Sequence, residues 1–213
     1  MIGLITLISG LLIHSGGAIM PVSKPLPEPA LLISSHKMSL EDRWDNPAVN
    51  EVMRDNILLN LAYMKGTVVT KDQINWDNIR LASDYSFVLK PQETFAFDDS
   101  ILPNYLGKIT KTGNSHFTYA EGFKSDGYLA GDGVCHLASL INWSARDAHL
   151  DVVAPTNHDF AKINDIPKEY GVAIFATNSS QNLYITNNQN RPVEFKFHYD
   201  GKYLEVSVWQ LQS

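Results

Sequence analysis

Hydrophobic residues recur at helical spacing in the first part of the chain and alternate with polar residues in the last part. Asn46-Pro47 is typical of a helix start, with Asn as the N-cap and Pro at the first helical position. Apolar residues continue at helical spacing towards Lys65, and Gly66 is a natural stop. The pattern therefore predicts a long N-terminal helix.

Short apolar or alternating runs predict β-strands elsewhere in the chain. The last two runs flank Asp200-Gly201, a dipeptide typical of hairpin turns. We therefore expect the C-terminal third to form an antiparallel β-meander. The predicted strands cover residues 67–69, 87–89, 95–97, 150–153, 171–175, 183–186, 193–199 and 203–209.

A second helical pattern begins at the Gly-Asp-Gly-Val-Cys stretch of residues 131–135. Leu137, Leu140 and Ile141 then line one side of the predicted helix. Taken together, these patterns predict an α+β fold. In this fold the helix that opens at the Gly-Val-Cys element packs on an antiparallel sheet, with the long N-terminal helix in addition.

Residues 1–20 contain no Lys, Arg, Asp or Glu. Their most apolar stretch, residues 2–13, has the length of the hydrophobic region of a signal peptide and is short for a membrane span of about 20 residues. Because no basic residue precedes it, a signal peptide, a signal anchor and a buried first element all remain open. A Pro-rich stretch at 23–30 follows and is typical of a semi-rigid linker.

Composition excludes several classes of protein. The chain has 213 residues, 44% of them hydrophobic, and a net charge of −6, which suits a globular domain without a basic face for nucleic acid. A single cysteine excludes an intramolecular disulfide and multi-cysteine metal sites. The alternative metal ligands His116, His158, Asp126 and Asp132 have no metal-binding spacing, so we predict no metal and no cofactor.

Cys135 is the best candidate for a functional centre. Gly131 and Gly133 permit a tight approach to a helix start, and Cys135 would lie in the first turn of that helix. There the free N–H groups and the helix dipole stabilise a thiolate and so lower the pKa of the thiol. A nearby histidine that acts as a base would then activate the cysteine as a nucleophile. The alternative is that Cys135 is a small buried hydrophobic residue with a structural role.

Several segments resemble the VanW family. They are Pro-Gln-Glu-Thr-Phe-Ala-Phe at 91–97, Gly-Asp-Gly-Val-Cys-His at 131–136, Asn157-His158, and Leu-Tyr-Ile-Thr-Asn-Asn at 183–188. The resemblance covers residues 87–209 and implies a cell-envelope setting linked to glycopeptide resistance and peptidoglycan. Asp132 and His136 depart from the Gly and Gln that the family usually has. The Cys135 region is also similar to the nucleophile region of transglutaminase-like cysteine enzymes.

The resemblance suggests two functions. In the first, Cys135 attacks an amide or peptide of a peptidoglycan-related substrate, with His158 as the base. The acid that the family has near residue 171 is missing, so Asp159, Asp165 or a nearby Asn would orient His158. In the second function, the cleft beside Cys135 only binds a cell-wall peptide or glycan, and Cys135 is structural. The ligand-binding residues are predicted to be Asp132, His136, Tyr128 and Asn157.

The predicted organisation has four parts. Residues 1–20 are a signal peptide or anchor, 21–38 a Pro-rich linker, 39–86 an N-terminal helical segment and 87–213 a VanW-like domain. The protein is therefore expected to be extracytoplasmic, either secreted or held at the membrane by an uncleaved N-terminal segment. No contact with nucleic acid is expected.

Overall fold

The structure is a computed structural model that describes residues 30–127 and 130–212 of the chain. Its described part holds two four-stranded sheets and three α-helices, so the predicted α+β class is confirmed. The strands are β1 (Leu31–Ser39), β2 (Ser83–Leu89), β3 (Thr94–Ala96), β4 (Ile109–Thr112), β5 (Asp151–Val153), β6 (Tyr184–Thr186), β7 (Val193–Tyr199) and β8 (Tyr203–Gln210); the helices are α1 (Pro47–Lys65), α2 (Trp76–Ile79) and α3 (Val134–Asp147).

The first sheet is antiparallel, with the strand order β1-β8-β7-β2. Along β7, every second residue from Val193 to Tyr199 is buried, as the alternating pattern predicts. The predicted hairpin between β7 and β8 is confirmed. The backbone N–H groups of Lys202 and Tyr203 donate to Oδ1 of Asp200 at 2.8 and 2.7 Å. One face of this sheet is therefore buried against the helices and the other meets solvent.

The second sheet is mixed and has the order β4-β3-β6-β5, with β4 parallel to β3. The C-terminal strands thus divide between the two sheets, rather than forming one continuous meander. Asn187 marks the division, because its buried Nδ2 donates to the carbonyls of Leu89 and Arg191 at 2.9 and 2.8 Å. These bonds direct the chain from β6 into the first sheet.

Helix α1 begins and ends where the sequence predicts. The side chain of Asn46 accepts a hydrogen bond from the N–H of Ala48 at 2.9 Å, and Pro47 is the first helical residue. Gly66 ends the helix in the left-handed conformation, with φ of 76°. The described chain before α1 forms a strand, β1, rather than a helix.

Helix α3 lies on the first sheet and touches α1. The hydroxyl of Ser34 in β1 donates to the carbonyl of Ser144 at 2.6 Å, and the hydroxyl of Ser144 donates to the carbonyl of Val206 in β8 at 2.9 Å. At its start, Gly133 has φ of 92° and lies directly against Met53 of α1. These contacts fix the position of the Gly-Val-Cys element.

Three predictions about local structure are wrong. Residues 31–38, assigned to the linker, form most of β1 and pair with β8. Residues 67–69 form no strand, because the N–H groups of Thr67 and Val68 fold back onto the carbonyl of Ala62 at the end of α1. Residues 171–175 make only a single bridge, between Val172 and Asn157, since the N–H of Val172 bonds to the hydroxyl of Ser139 instead.

The N-terminal predictions lie mostly outside the described residues. This holds for the signal peptide or anchor at 1–20 and for residues 21–29 of the predicted linker. Over residues 30–127 and 130–212, no helix has both the length and the apolar character that crossing a membrane requires.

Gly133→Ala is expected to lower the free energy of unfolding by about 3 kcal/mol or more, because the new Cβ would lie 2.7 Å from the carbonyl oxygen of Met53. Gly201→Ala is the matched control. Its φ is also positive, at +103°, but nothing lies within 4 Å of the added Cβ, so only the backbone cost of about 1–2 kcal/mol applies. Urea unfolding measures the free energy of unfolding of both variants. Equal decreases in the two variants would contradict the prediction that the contact between Gly133 and Met53 leaves no room for a Cβ.

Candidate functional site

Cys135 is the second residue of α3, in the first turn, as predicted. Its sulfur lies against residues 171–175. Sγ accepts a hydrogen bond from the backbone N–H of Ile174 at 3.4 Å, and the thiol lies 3.8 Å from the carbonyl oxygen of the same residue. Among the described residues, no histidine ring is hydrogen-bonded to the sulfur. The thiol is therefore tied to backbone rather than to a base.

The predicted lowering of the Cys135 pKa is wrong. Burial raises the pKa of the thiol to about 11, the N–H of Ile174 opposes the increase, and the charge of Asp132 adds to it. Cys135 as a residue keeps partial exposure, but protein atoms surround the sulfur closely enough for desolvation to exceed the effect of the helix N-terminus. At neutral pH the thiol is protonated and a poor nucleophile.

His158 meets His136 rather than Cys135. Both histidines are buried, and their rings are edge-to-face with centroids 6.1 Å apart. The other neighbour of His158 is Phe160, at 4.0 Å between ring centroids. Within the described part of the chain, Nδ1 of each histidine is buried without a hydrogen-bond partner. Two imidazoles with unused polar atoms therefore lie together beside the N-terminal end of α3.

Both imidazoles are neutral at pH 7. Burial, with a smaller contribution from the positive charge of Arg43, lowers the pKa of His136 to about 3. Burial also lowers the pKa of His158, although the carbonyl of Ala161 and the charge of Asp159 oppose this. Neutral rings can donate and accept one hydrogen bond each but supply no positive charge.

Of the other predicted site residues that the structure describes, Asp132 lies near enough for its charge to act on the Cys135 thiol. Asp159 is exposed, and Asp165 is engaged by Arg43, so neither holds His158 as a triad would require. Asp132 accepts from the N–H of Asp126 at 3.0 Å, and burial raises the Asp132 pKa. Asn157 is exposed and makes the single bridge to residue 172. Tyr128 lies outside the described residues.

A cavity of about 460 Å³ opens beside His158. One loop, residues 158–171, supplies its walls. Ile163 and Ile166 are buried, whereas Phe160 is 75% exposed at the cavity. The lining residues are His158, Asp159, Phe160, Ala161, Lys162, Ile163, Ile166, Pro167, Lys168 and Gly171. The sequence analysis singled out only His158 and Asp159 among these lining residues, although Phe160, an aromatic residue next to Asp159, was an available signal.

The buried side chain of Arg43 holds the cavity loop in place. Its Nε donates to the carbonyl of Ser39 at 2.5 Å, Nη1 to the carbonyl of Asn164 at 2.9 Å, and Nη2 to Asp165 at 2.6 Å. The loop is attached a second time where Nδ2 of Asn142 in α3 donates to the carbonyl of Tyr170 at 2.8 Å. The sequence interpretation missed Arg43, because its partners in the cavity loop, Asn164 and Asp165, lie 121 and 122 residues away along the chain.

Asp98, which follows β3, is only 1% exposed. Its Oδ1 accepts from the N–H of Ser100 at 2.7 Å, whereas Oδ2 has no partner among the described residues. Nearby, His116 bridges Asp99 and Glu121 at 3.0 Å each. Over the described residues, no three His, Cys, Asp or Glu side chains are placed to hold a metal ion.

Burial raises the pKa of Asp98 to about 6, from its ordinary value of 3.8. Asp99 and Glu121 add to the increase, and the Ser100 N–H and His116 oppose it. Because the folded state binds this proton more tightly than the unfolded state, the contribution to stability is complete only below the ordinary pKa of 3.8. It is lost as the pH rises through the interval from 3.8 to about 6.

Asp98→Asn is expected to remove this pH dependence and to raise the free energy of unfolding at pH 7.5, by up to about 3 kcal/mol. Urea unfolding at several pH values between 4 and 8 measures the difference between variant and wild type, so that other titrating groups cancel. Asp45→Asn, at an exposed carboxylate, is the control and should show no such difference. A variant less stable than the wild type by the same amount at every pH would contradict the raised pKa.

The thiol of Cys135 is expected to alkylate at least about 100-fold more slowly in the native chain at pH 8 than in the urea-unfolded chain, since a pKa two units higher lowers the thiolate fraction by that factor. Iodoacetamide labelling followed by mass spectrometry gives the rates against pH. His158→Ala should leave the profile unchanged. An apparent pKa below 8.5 that disappears in this variant would instead restore the nucleophile hypothesis.

A family model described as VanW like protein matches residues 75–209, more than half of the chain. The chain belongs to the VanW family. This membership associates the protein with the cell envelope and with vancomycin resistance, and the match includes Cys135 and the cavity loop. It begins before residue 87 and leaves out β1, α1 and Arg43. No curated protein and no solved structure matches the chain.

Proposed function

We propose that this VanW family protein is a non-catalytic binding module of the cell envelope. Its binding site is the cavity of loop 158–171, and its ligand is a peptide or another amide-containing component of the cell wall. The observation that carries the proposal is the cavity itself. It is lined by a neutral histidine and an exposed aromatic ring, and it is built by a loop that is anchored at two points.

The size and lining of the cavity suit a small organic ligand. Binding sites for such ligands are typically concave, of about 300–1,000 Å³, with apolar walls and a few polar groups. Ile163, Ile166 and Phe160 supply the apolar surface here, and His158 supplies a neutral hydrogen-bonding group. A neutral imidazole pairs well with an amide, because it can accept from an N–H or donate to a carbonyl.

Cysteine-dependent hydrolysis or transfer is less well supported. That function needs Cys135 as a thiolate, His158 within hydrogen-bond reach of it, and an acid such as Asp159 to orient the imidazole. Instead, Sγ is bonded to the backbone of Ile174, the thiol pKa is raised, and His158 faces His136. The family association with the envelope supports the setting of the binding proposal without adding a reaction.

Purified peptidoglycan sacculi provide the test. We expect the full chain to sediment with sacculi and Phe160→Ala to weaken the apparent affinity by about 10-fold, because the exposed ring would lose its apolar contact with the ligand. Cys135→Ser should bind as the wild type does. The fraction bound is measured against sacculus concentration, with sedimentation of the chain alone subtracted.

Tyr119→Ala is the matched control, because Tyr119 is also an exposed aromatic residue, 60% exposed, and lies outside the cavity. It should leave binding unchanged. Absence of wild-type sedimentation would refute the proposal, and so would loss of binding in a folded Cys135→Ser variant.

A further inference from the structure

Two lysines at the cavity have no partner among the described residues. Lys162 and Lys168 both line it, and within the described residues neither ammonium group makes an ion pair, a hydrogen bond or a cation–π contact. Some other lysines are paired: Lys124 with Asp55, Lys196 with Glu194 at 3.4 Å and Lys202 with Glu41 at 3.1 Å. On a chain with a net charge of −6, this cavity therefore has two cations that are available to a ligand.

The cavity carries a net positive charge. Asp159 is the one acidic residue in its lining, against the two lysines. Asp165, which is close along the chain, is already paired with Arg43 at 2.6 Å and does not line the cavity. Glu169 follows Lys168 but is likewise not part of the lining. The lining therefore complements a ligand that carries one negative charge.

The other side chains that line the cavity indicate the remaining chemical groups of that ligand. His158 lines the cavity as a neutral imidazole, a group that can accept from an amide N–H or donate to an amide carbonyl, and its buried Nδ1 has no hydrogen-bond partner among the described residues. Phe160 is exposed at the cavity, and Ile163 forms apolar wall, so both can contact an aliphatic side chain. A carboxylate, an amide and a small apolar side chain occur together at the C-terminal end of a peptide.

We infer that the cavity binds the free C-terminal end of a peptide, with Lys162 and Lys168 contacting its carboxylate and His158 its last amide. This inference rests on the proposed function and narrows its ligand from a cell-wall component to a peptide chain end. The recognition is electrostatic, so it weakens as ionic strength rises.

A matched pair of peptides tests the inference. The probes are N-acetyl-trialanine with a free carboxylate and the same peptide as a C-terminal carboxamide, each titrated into the full chain by calorimetry at low salt. We expect the acid to bind at least about 10-fold more tightly than the amide. In the double variant Lys162→Ala/Lys168→Ala, the acid should bind no more tightly than the amide.

Lys90→Ala/Lys108→Ala is the control variant, because both lysines are exposed and outside the cavity. It should keep the full preference for the acid. Circular dichroism of both double variants checks that they are folded. A preference for the acid that persists without Lys162 and Lys168 would overturn the inference.

Further outcomes separate the inference from the proposed function. If sacculi bind but the acid and the amide bind equally, or the acid does not bind at millimolar concentration, the peptide-end inference fails and the binding module stands. Retention on glycan strands stripped of peptide, equal to that on intact sacculi, would indicate an acidic sugar and also overturn the inference. If the acid binds preferentially but sacculi do not, the cell wall is excluded as the source of the ligand.

Discussion

The buried guanidinium of Arg43 is the interaction on which the cavity depends. It joins the end of β1, through the carbonyl of Ser39, to the loop that forms the cavity, through Asn164 and Asp165. Burial lowers the pKa of Arg43 and Asp165 opposes this, but an arginine remains charged at neutral pH. The side chain of Asp165 is 41% exposed, so solvent screens the ion pair, and the bonds from Arg43 to the backbone carbonyls of Ser39 and Asn164 carry much of the attachment. The positive charge of Arg43 also helps to keep His136 neutral. Arg43 therefore determines both the position of the cavity loop and the protonation state of a neighbouring histidine.

Two opposing effects act on the pKa of Cys135: the helix N-terminus lowers it and burial raises it. A helix N-terminus typically stabilises a negative charge by about 0.3–1 kcal/mol, and by about 2 kcal/mol in favourable cases. A pKa rise to about 11 from an ordinary 9.0 corresponds to about 3 kcal/mol in the other direction. Desolvation therefore exceeds the effect of the helix dipole, and the thiol of Cys135 stays protonated at neutral pH. Its hydrogen bond to Ile174 holds the segment of residues 171–175 against α3.

The cavity depends on segments of the chain that lie outside the family match. The match begins at residue 75, whereas β1 and Arg43 precede it. Without β1, the first sheet would lose an edge strand and the cavity loop would lose one of its two anchors. The other anchor, Asn142, lies on α3 within the match. The binding site proposed here thus combines a family loop with a support that lies outside the matched range.

The sequence by itself determined the features that depend on neighbouring residues. These include the start of α1 at Asn46-Pro47, its end at Gly66, the hairpin at Asp200-Gly201 and the place of Cys135 in the first turn of α3. Each is a matter of backbone geometry and hydrogen bonds over a few residues. The VanW resemblance was equally readable, since its motifs are local.

Only the tertiary structure decided the rest. The thiol pKa depends on Ile174, 39 residues from Cys135, and the cavity depends on Arg43, 122 residues from Asp165. The pairing of His158 with His136, and the assignment of residues 31–38 to a strand, likewise follow from contacts distant in sequence. The burial of a side chain and the charges around it depend on all the residues that are near it in space. The pattern of residues along one segment of the chain therefore cannot predict them.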